Sequence, residues 1–381
     1  MISFQNKAVI MKRPILFFIL QKEFKQIFRN KGMLPIMFIM PVVQLLILSF
    51  AATFEMKDIK INIVDNDKTP ASRELISKFK GSKFYTIINY TDAYNVAEND
   101  LKSNKADVIL QIPQYFEKNL IKENASKVKL TINAINGSAA GLVSAYTMSI
   151  IKEFNKAMIV ETLGMNIEMP VKTNTSYWFN PELDYKTYMV PGILVLLVSI
   201  ISLFLSSMNI VREKEMGTIE QINVTPILKY QFVAGKLIPF WIIAMFELAI
   251  GLTLAKLIFA LPMLGNVSII FLFAGLYILA LLGLGLFIST ISDTQQQAMF
   301  IAWFLMVVFI LLSGLFTPVE SMPLWAQNLN IINPISYFIK VMRMVLLKGA
   351  GLKELSTQFI AMAIYAFISI TLAVRMYKKK S

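Results

Sequence analysis

Two side chains that carry much of enzyme chemistry are missing altogether: the 381 residues include no cysteine and no histidine. That excludes disulfides, thiolate nucleophiles, zinc sites built on Cys or His, and any Ser-His or Cys-His nucleophile system. Catalysis would have to rest on Asp, Glu, Lys, Ser, Thr or Tyr. With no thiol to oxidise, the missing cysteine carries no information about compartment. Charge is scarce as well, at 16% of residues, against roughly 25% in an ordinary soluble domain. The phosphate-cradling pattern G-x-x-x-x-G-K-[ST] is also absent. Gly235-Lys236 has neither the earlier glycine nor the following Ser or Thr. The chain therefore has no backbone cradle of the usual kind for nucleotide phosphates.

What is present in excess is apolar surface: 56% of residues are hydrophobic and the mean hydropathy is +0.60. These residues gather in blocks near the length of about 20 needed to cross a bilayer. The blocks are Met33–Phe54, Tyr188–Val211, Leu237–Phe259, Val267–Ile288, Ala298–Phe316 and Leu355–Val374. The first exceeds the usual signal-peptide core of about 7–15 residues and follows some thirty residues of basic sequence, so it reads as an uncleaved span. The expected fold is a mostly α membrane protein, a six-helix transmembrane bundle with an inserted α/β extracytoplasmic domain. Its expected parts are a cytoplasmic N-terminal amphipathic helix (1–31), the first span (32–54), the inserted domain (55–186), spans two to six (187–376) and a basic tail (377–381).

The net charge of +13 invites a nucleic-acid reading, which its placement opposes. Residues 1–31 hold seven basic residues against Glu23, and the tail adds Arg375, Lys378, Lys379 and Lys380. Both clusters flank apolar spans and read as topology signals and contacts to anionic lipid. Pro14–Arg29 spaces Phe17, Leu20, Phe24, Ile27 and Phe28 as one face of a helix lying on the membrane surface. Six spans with basic ends put both termini in the cytoplasm and the polar domain outside, in a cytoplasmic (inner) membrane. The inside loop Ser289–Gln297 has no basic residue, and the outside stretch Thr317–Glu354 has Lys340, Arg343, Lys348 and Lys353; both run against the charge rule.

Between residues 55 and 186, seventeen basic and sixteen acidic residues stand without an uninterrupted apolar span. Ile59–Val64, Phe84–Tyr90, Asp107–Ile112 and Val128–Ile135 read as strands. Pro70–Lys80, Ala93–Lys102 and Gln114–Lys122 read as helices between them, an α/β alternation. The apolar-periodic run Ala139–Leu163 is expected to leave this domain as a helix. The stretch 317–354 has Pro318, Pro323, Trp325 and Pro334 among apolar pieces too short to cross. It is expected to dip back into the interface as half-helices, with Trp325 and Tyr337 at headgroup level.

The most informative segment follows the second span and runs over 212–230. Its core is Arg212, Glu213, Lys214, Glu215, Met216, Gly217, Thr218, Ile219, Glu220, Gln221, Ile222, Asn223, Val224, Thr225 and Pro226. Gly217 fits a left-handed cap ending the incoming helix. Thr218 and Gln221 fit a capping box for a short second helix, which Pro226 stops from continuing. Ile219 and Ile222 give that helix a small apolar face suited to docking a cytoplasmic partner. A solvated turn with ordinary helix punctuation fits the same residues.

That loop resembles the one in permease subunits of bacterial type-2 ABC exporters, whose E-x-G-T-x-E-x-x-x-x-T-P pattern reads here from Glu215 to Pro226. Asn180-Pro181, Met189-Val190-Pro191-Gly192, Gly235-Lys236, Ser313-Gly314 with Thr317-Pro318, and Asn333-Pro334 with Tyr337 are similar to that family too. The resemblance implies a dimer of permeases, homo- or heterodimeric. It also implies a cytoplasmic ABC ATPase docked on each through this loop and the N-terminal helix. ATP and Mg would belong to that partner, leaving no cofactor in this chain and no enzyme activity of its own. A lipophilic drug or lipid-like substrate is expected from the wall chemistry and the resemblance. A periplasmic adaptor and outer-membrane channel are further partners it leaves open.

Glu247 lies inside the third apolar block, where an ionisable group costs roughly 2.5–3.5 kcal/mol on insertion scales. A transport role and a hydrogen-bonding role within the bundle both fit. The 22 methionines and 28 phenylalanines suit an adaptable lipophilic pathway, though most are expected to face lipid or pack helices. Gly283 and Gly285 suit close helix approach. A secondary transporter would need more intramembrane charge than Glu247 alone. A membrane sensor with an outside ligand-binding domain remains the other reading.

Overall fold

The computed structural model describes residues 2–51, 58–123, 125–163, 179, 184–219, 225 and 227–376. The chain divides into two compact units, Met1–Thr53 with Tyr177–Ser381, and Phe54–Ser176. It opens with helix α1 (Ile2–Arg29), a two-residue turn after Asn30, and α2 (Met33–Ala51).

The second unit alternates β1 (Ile59–Asp65), α3 (Pro70–Gly81), β2 (Tyr85–Thr91), α4 (Tyr94–Lys102), β3 (Val108–Ile112), α5 (Phe116–Glu123), β4 (Lys129–Ile132) and α6 (Gly137–Leu163). The strands form one sheet in the order β2-β1-β3-β4, with β1 parallel to both neighbours and β4 antiparallel. Central parallel strands are covered on both faces and so read as near-continuous apolar runs. Ile59, Ile61, Ile63 and Val64 of β1 and Val108, Ile109 and Leu110 of β3 are fully buried. Helix α3 starts where Thr69 accepts from Ser72 N and Pro70 takes the first helical position, an N-cap with a proline whose missing N–H costs nothing there.

Helix α6 differs from expectation. Its Val143 and Phe154 belong to the core under the sheet. The Tyr85 hydroxyl donates to Val143 O and pairs with Thr147 Oγ1 at 2.7 Å. Residues 143, 147 and 154 lie on one side of a helix, and that seam packs into the domain rather than leaving it.

The first unit continues with α7 (Tyr185–Glu215), α8 (Lys229–Phe259), α9 (Val267–Ile291), α10 (Gln295–Leu312), a 3-10 turn (Val319–Ser321), α11 (Leu324–Asn330), α12 (Pro334–Lys348) and α13 (Ser356–Met376). Five of these, α7, α8, α9, α10 and α13, are long and apolar enough to cross a membrane. In α2 the apolar helix Met37–Ala51 is shorter. The pieces at 317–354 form two helices, α11 and α12, each shorter than a span.

Helix α7 is the axis of this unit. Its side chains are buried without a break from Met189 to Ser199, as expected of a helix apolar all round. Two glycines of α9 set its neighbours. A Cβ on Gly285 would lie 2.7 Å from Leu203 O of α7, and one on Gly283 would lie 2.9 Å from Ile370 N of α13. Each glycine therefore admits a different helix backbone, and Ser206 of α7 donates to Leu282 O at 2.7 Å across the first crossing.

Candidate functional site

The 31 residues of α7 span about 46 Å at 1.5 Å each, so its two ends form separate sites. At its start, stretches widely separated in sequence meet. Gly192 faces Leu315, whose side-chain tip occupies the space beside its Cα. Arg343 donates to Tyr188 O at 3.2 Å and to Gly314 O at 3.1 Å, and its guanidinium lies 3.6 Å from the Tyr188 ring centre. Asn333 caps α12 by accepting from Ile335 N and donates to Phe309 O at 2.8 Å. Arg343, which ran against the charge rule, is held by carbonyls and an aromatic face.

At the other end, the last turn of α7 carries Arg212, Glu213, Lys214 and Glu215. Successive helical residues point about 100° apart, so each reaches a different neighbour. Glu213 turns inward, with 2% of its side chain exposed. Its Oε1 accepts from Lys236 Nζ of α8 at 2.7 Å and from Lys22 Nζ of α1 at 2.9 Å. The Lys236 ammonium, also 2% exposed, lies 2.8 Å from Glu23 Oε1 of α1, itself 3% exposed. That contact is a pairing of charges without hydrogen-bond alignment. Two lysines and two glutamates thus form a charge-balanced cluster joining α1, α7 and α8. Glu23, Glu213 and Lys236 are buried and Lys22 is half exposed, so losing one of the buried three leaves a charge uncompensated.

Gly235 explains how α1 comes close enough. A Cβ there would stand 2.4 Å from Ile19 Cγ2, so the absence of a side chain seats α1 on α8 and brings Glu23 to Lys236. Glu23 and Lys236 lie far apart in the chain, and the sequence alone does not pair them. The available signal was complementary: a lone acid among seven basic residues, and a lysine at the mouth of an apolar block.

Lys214 binds the end of α9, donating to Ser289 O at 3.3 Å, Thr290 O at 3.1 Å and Ser292 O at 2.9 Å. A cation there satisfies carbonyls left open by the helix end and opposes its dipole. The basic charge missing from loop 289–297 is thus supplied by α7. Glu215 accepts from Gln295 N at 2.8 Å and from the Gln295 side-chain amide, a carboxylate at the N-terminus of α10. Arg212 lines an open groove of about 770 Å³ with Lys22, Lys25 and Arg29 of α1. On the adjoining face of α1, Phe17, Leu20, Phe24 and Phe28 line an apolar groove that shares Lys25 and Arg29 with the first.

Gly217 has φ +69°, the left-handed cap expected of it. Thr218 and Ile219 then resume helical backbone, with the Thr218 hydroxyl turned back to Glu213 Oε2. Glu220, Gln221, Ile222, Asn223, Val224 and Pro226, with the forward half of the capping box, lie outside the described residues; Thr225 forms a bend.

Glu247 lies on α8, 7% exposed. It faces a slot formed with Met37, Phe38 and Pro41 of α2 and Leu194 and Leu197 of α7. Neither carboxyl oxygen has a hydrogen-bond partner among the described residues.

Comparison with known proteins agrees with this architecture. Residues 31–375 match the model of the ABC-2 family transporter protein. The chain is similar to the probable multidrug ABC transporter permease YbhR of Escherichia coli (strain K12), 28% identical over 363 residues, 95% of this chain and 98% of the relative. It is similar to YbhS of the same organism, also a probable multidrug ABC transporter permease, at 26% over 86% of this chain and 87% of the relative. It also resembles the inner membrane transport permease YhhJ of that strain, at 23% over 94% and 95%. With a match spanning nearly its whole length and the apolar helices to carry it, the chain belongs to the ABC-2 family of membrane transporter proteins.

Proposed function

We propose that the chain is the membrane half of an ATP-driven exporter that moves a lipophilic substrate outward, and that the charge cluster at the end of α7 receives the work of a separate ATPase. In this reading α2 is a sixth span, both termini face the cytoplasm, and Phe54–Ser176 is an inserted domain on the outer side. Two permease copies form the pathway, and each docks an ABC ATPase that holds ATP and Mg. The docking surface is Arg212–Pro226 together with α1. The family match supports the permease and its ATPase; the multidrug names of YbhR and YbhS favour a drug-like substrate. A periplasmic adaptor and outer-membrane channel would extend the path in a cell with two membranes.

The observation that carries the coupling is the Lys22–Glu23–Glu213–Lys236 cluster. The segment leading into the docking loop is bound through it to α1 and α8, while Lys214 and Glu215 bind the same turn to α9 and α10. A push on the loop is therefore delivered to four helices and not absorbed in a flexible turn. Tight docking alone would shift nothing; the ATPase must bind the loop differently in its two states. Purification from native membranes tests the reading: an ABC ATPase should co-purify, and inverted vesicles should accumulate a lipophilic dye with ATP. Replacing Glu215 and Glu220 together should uncouple hydrolysis from transport. Ligand-stimulated hydrolysis with no transport would instead support a sensor.

A further inference from the structure

Resting on the exporter reading above, we infer that the Glu247 slot is a recognition site for a lipophilic cation, with the carboxylate taking the charge and the slot walls taking the hydrocarbon. A carboxyl group shut among apolar side chains is costly unless something polar meets it. Glu247 has no such partner among the described residues. The lysines of its own helix are remote: Lys236 is eleven residues away and Lys256 nine, about 16 and 13 Å along the axis. The walls facing it from α2 and α7 are Met37, Phe38, Pro41, Leu194 and Leu197, none of them charged.

The walls also suit a cation chemically. Phe38 lines the slot and packs edge to face on Phe246, with ring centres 6.1 Å apart. Phe246 is 54% exposed, so this aromatic pair runs from the slot wall to the surface of the bundle. Aromatic faces attract desolvated cations, and a carboxylate behind them supplies the opposite charge. One turn beyond Glu247, Gly251 lets Leu194 approach to where a Cβ would sit 2.5 Å away, which closes the floor. In the present state the void is about 20 Å³, room for roughly one water. Admission of a substrate therefore requires α2 to part from α8. Pro41, in the α2 wall, gives that helix a point of bending, because it supplies no backbone N–H.

Two ions of the same shape and opposite charge test this. Tetraphenylphosphonium and tetraphenylborate are titrated calorimetrically into the purified full-length permease. The wild type should prefer the cation by at least about tenfold, the ratio of a modest charge-assisted contact. Glu247→Gln should remove that preference and Glu247→Asp should keep most of it. A second readout needs no variant: dicyclohexylcarbodiimide should label Glu247, as found by peptide mass spectrometry, and tetraphenylphosphonium should protect it. Equal binding of the two ions by the wild type, a preference surviving Glu247→Gln, or labelling unaffected by the cation each overturn the proposal. ATP-driven accumulation of an uncharged dye tests the exporter reading separately, because it does not involve the charge on Glu247.

Discussion

A lysine ammonium with 2% of its side chain exposed needs opposite charge beside it, and Lys236 has two carboxylates within 2.8 Å. Lys236→Met leaves both without that cation, which should cost about 3–5 kcal/mol, read as reduced denaturant stability of the solubilised protein. The pair Glu213→Gln with Lys236→Met leaves Glu23 beside Lys22 and should recover much of that loss, because an ion pair removed as a pair is often near neutral. A double variant as unstable as the single one contradicts the pairing. In the sheet unit, Asp65 is fully buried and accepts from Asp67 N, Lys68 N, Ser72 Oγ and Tyr90 OH. Burial pushes its carboxyl up, and these hydrogen bonds together outweigh it, holding the group below its ordinary 3.8. Burial, together with the same bond, drives the Tyr90 hydroxyl to about 12. The sign follows from a lowered folded value: the stabilisation is complete above 3.8 and is lost as the pH falls through the folded value. Amide protection factors across β1 and β2 in the full chain, corrected for the intrinsic pH dependence of exchange, should therefore fall in acid. Asp65→Asn should cost about 1–3 kcal/mol at neutral pH and flatten that dependence.

At the scale of elements, the glycines decide which helices touch. Gly235→Leu should push α1 away from α8, since even a Cβ meets Ile19 at 2.4 Å. Trypsin cleavage at Lys25 and Arg29 should then become faster, and an unchanged digestion pattern counts against the seating. The same scale shows what the sequence makes legible. Spans two to six stand out because a bilayer-length apolar block is long and has few competing explanations, and each corresponds to a helix long and apolar enough to cross. The Gly217 cap is legible because a positive φ strongly favours glycine at a helix end. Helix α6 is harder to read, since a seam through Val143, Thr147 and Phe154 becomes a core face only once Tyr85 and the sheet lie opposite it. The charge cluster is hardest. Glu23, Glu213 and Lys236 come from three helices, and no local periodicity links them. Lys214 and Glu215, read as docking residues, also bind α9 and α10, which a loop motif alone does not reveal.

For the whole molecule, the proposed roles place the energy input at one end of α7 and substrate recognition in the Glu247 slot along the bundle. Helices α7 and α8 take part in both: α8 carries Lys236 in the cluster and Glu247 in the slot, and α7 carries Glu213 in the first and Leu194 in the second. Coupling through such elements requires that both sites bias the same rearrangement. The most direct test measures transport per ATP hydrolysed in vesicles holding the complete complex, with Glu213→Gln and Lys236→Met together. The account predicts that the ATPase stays bound and hydrolyses ATP while transport per ATP falls about tenfold, a coupling loss of roughly 1.4 kcal/mol. An unchanged transport yield in that variant would contradict it.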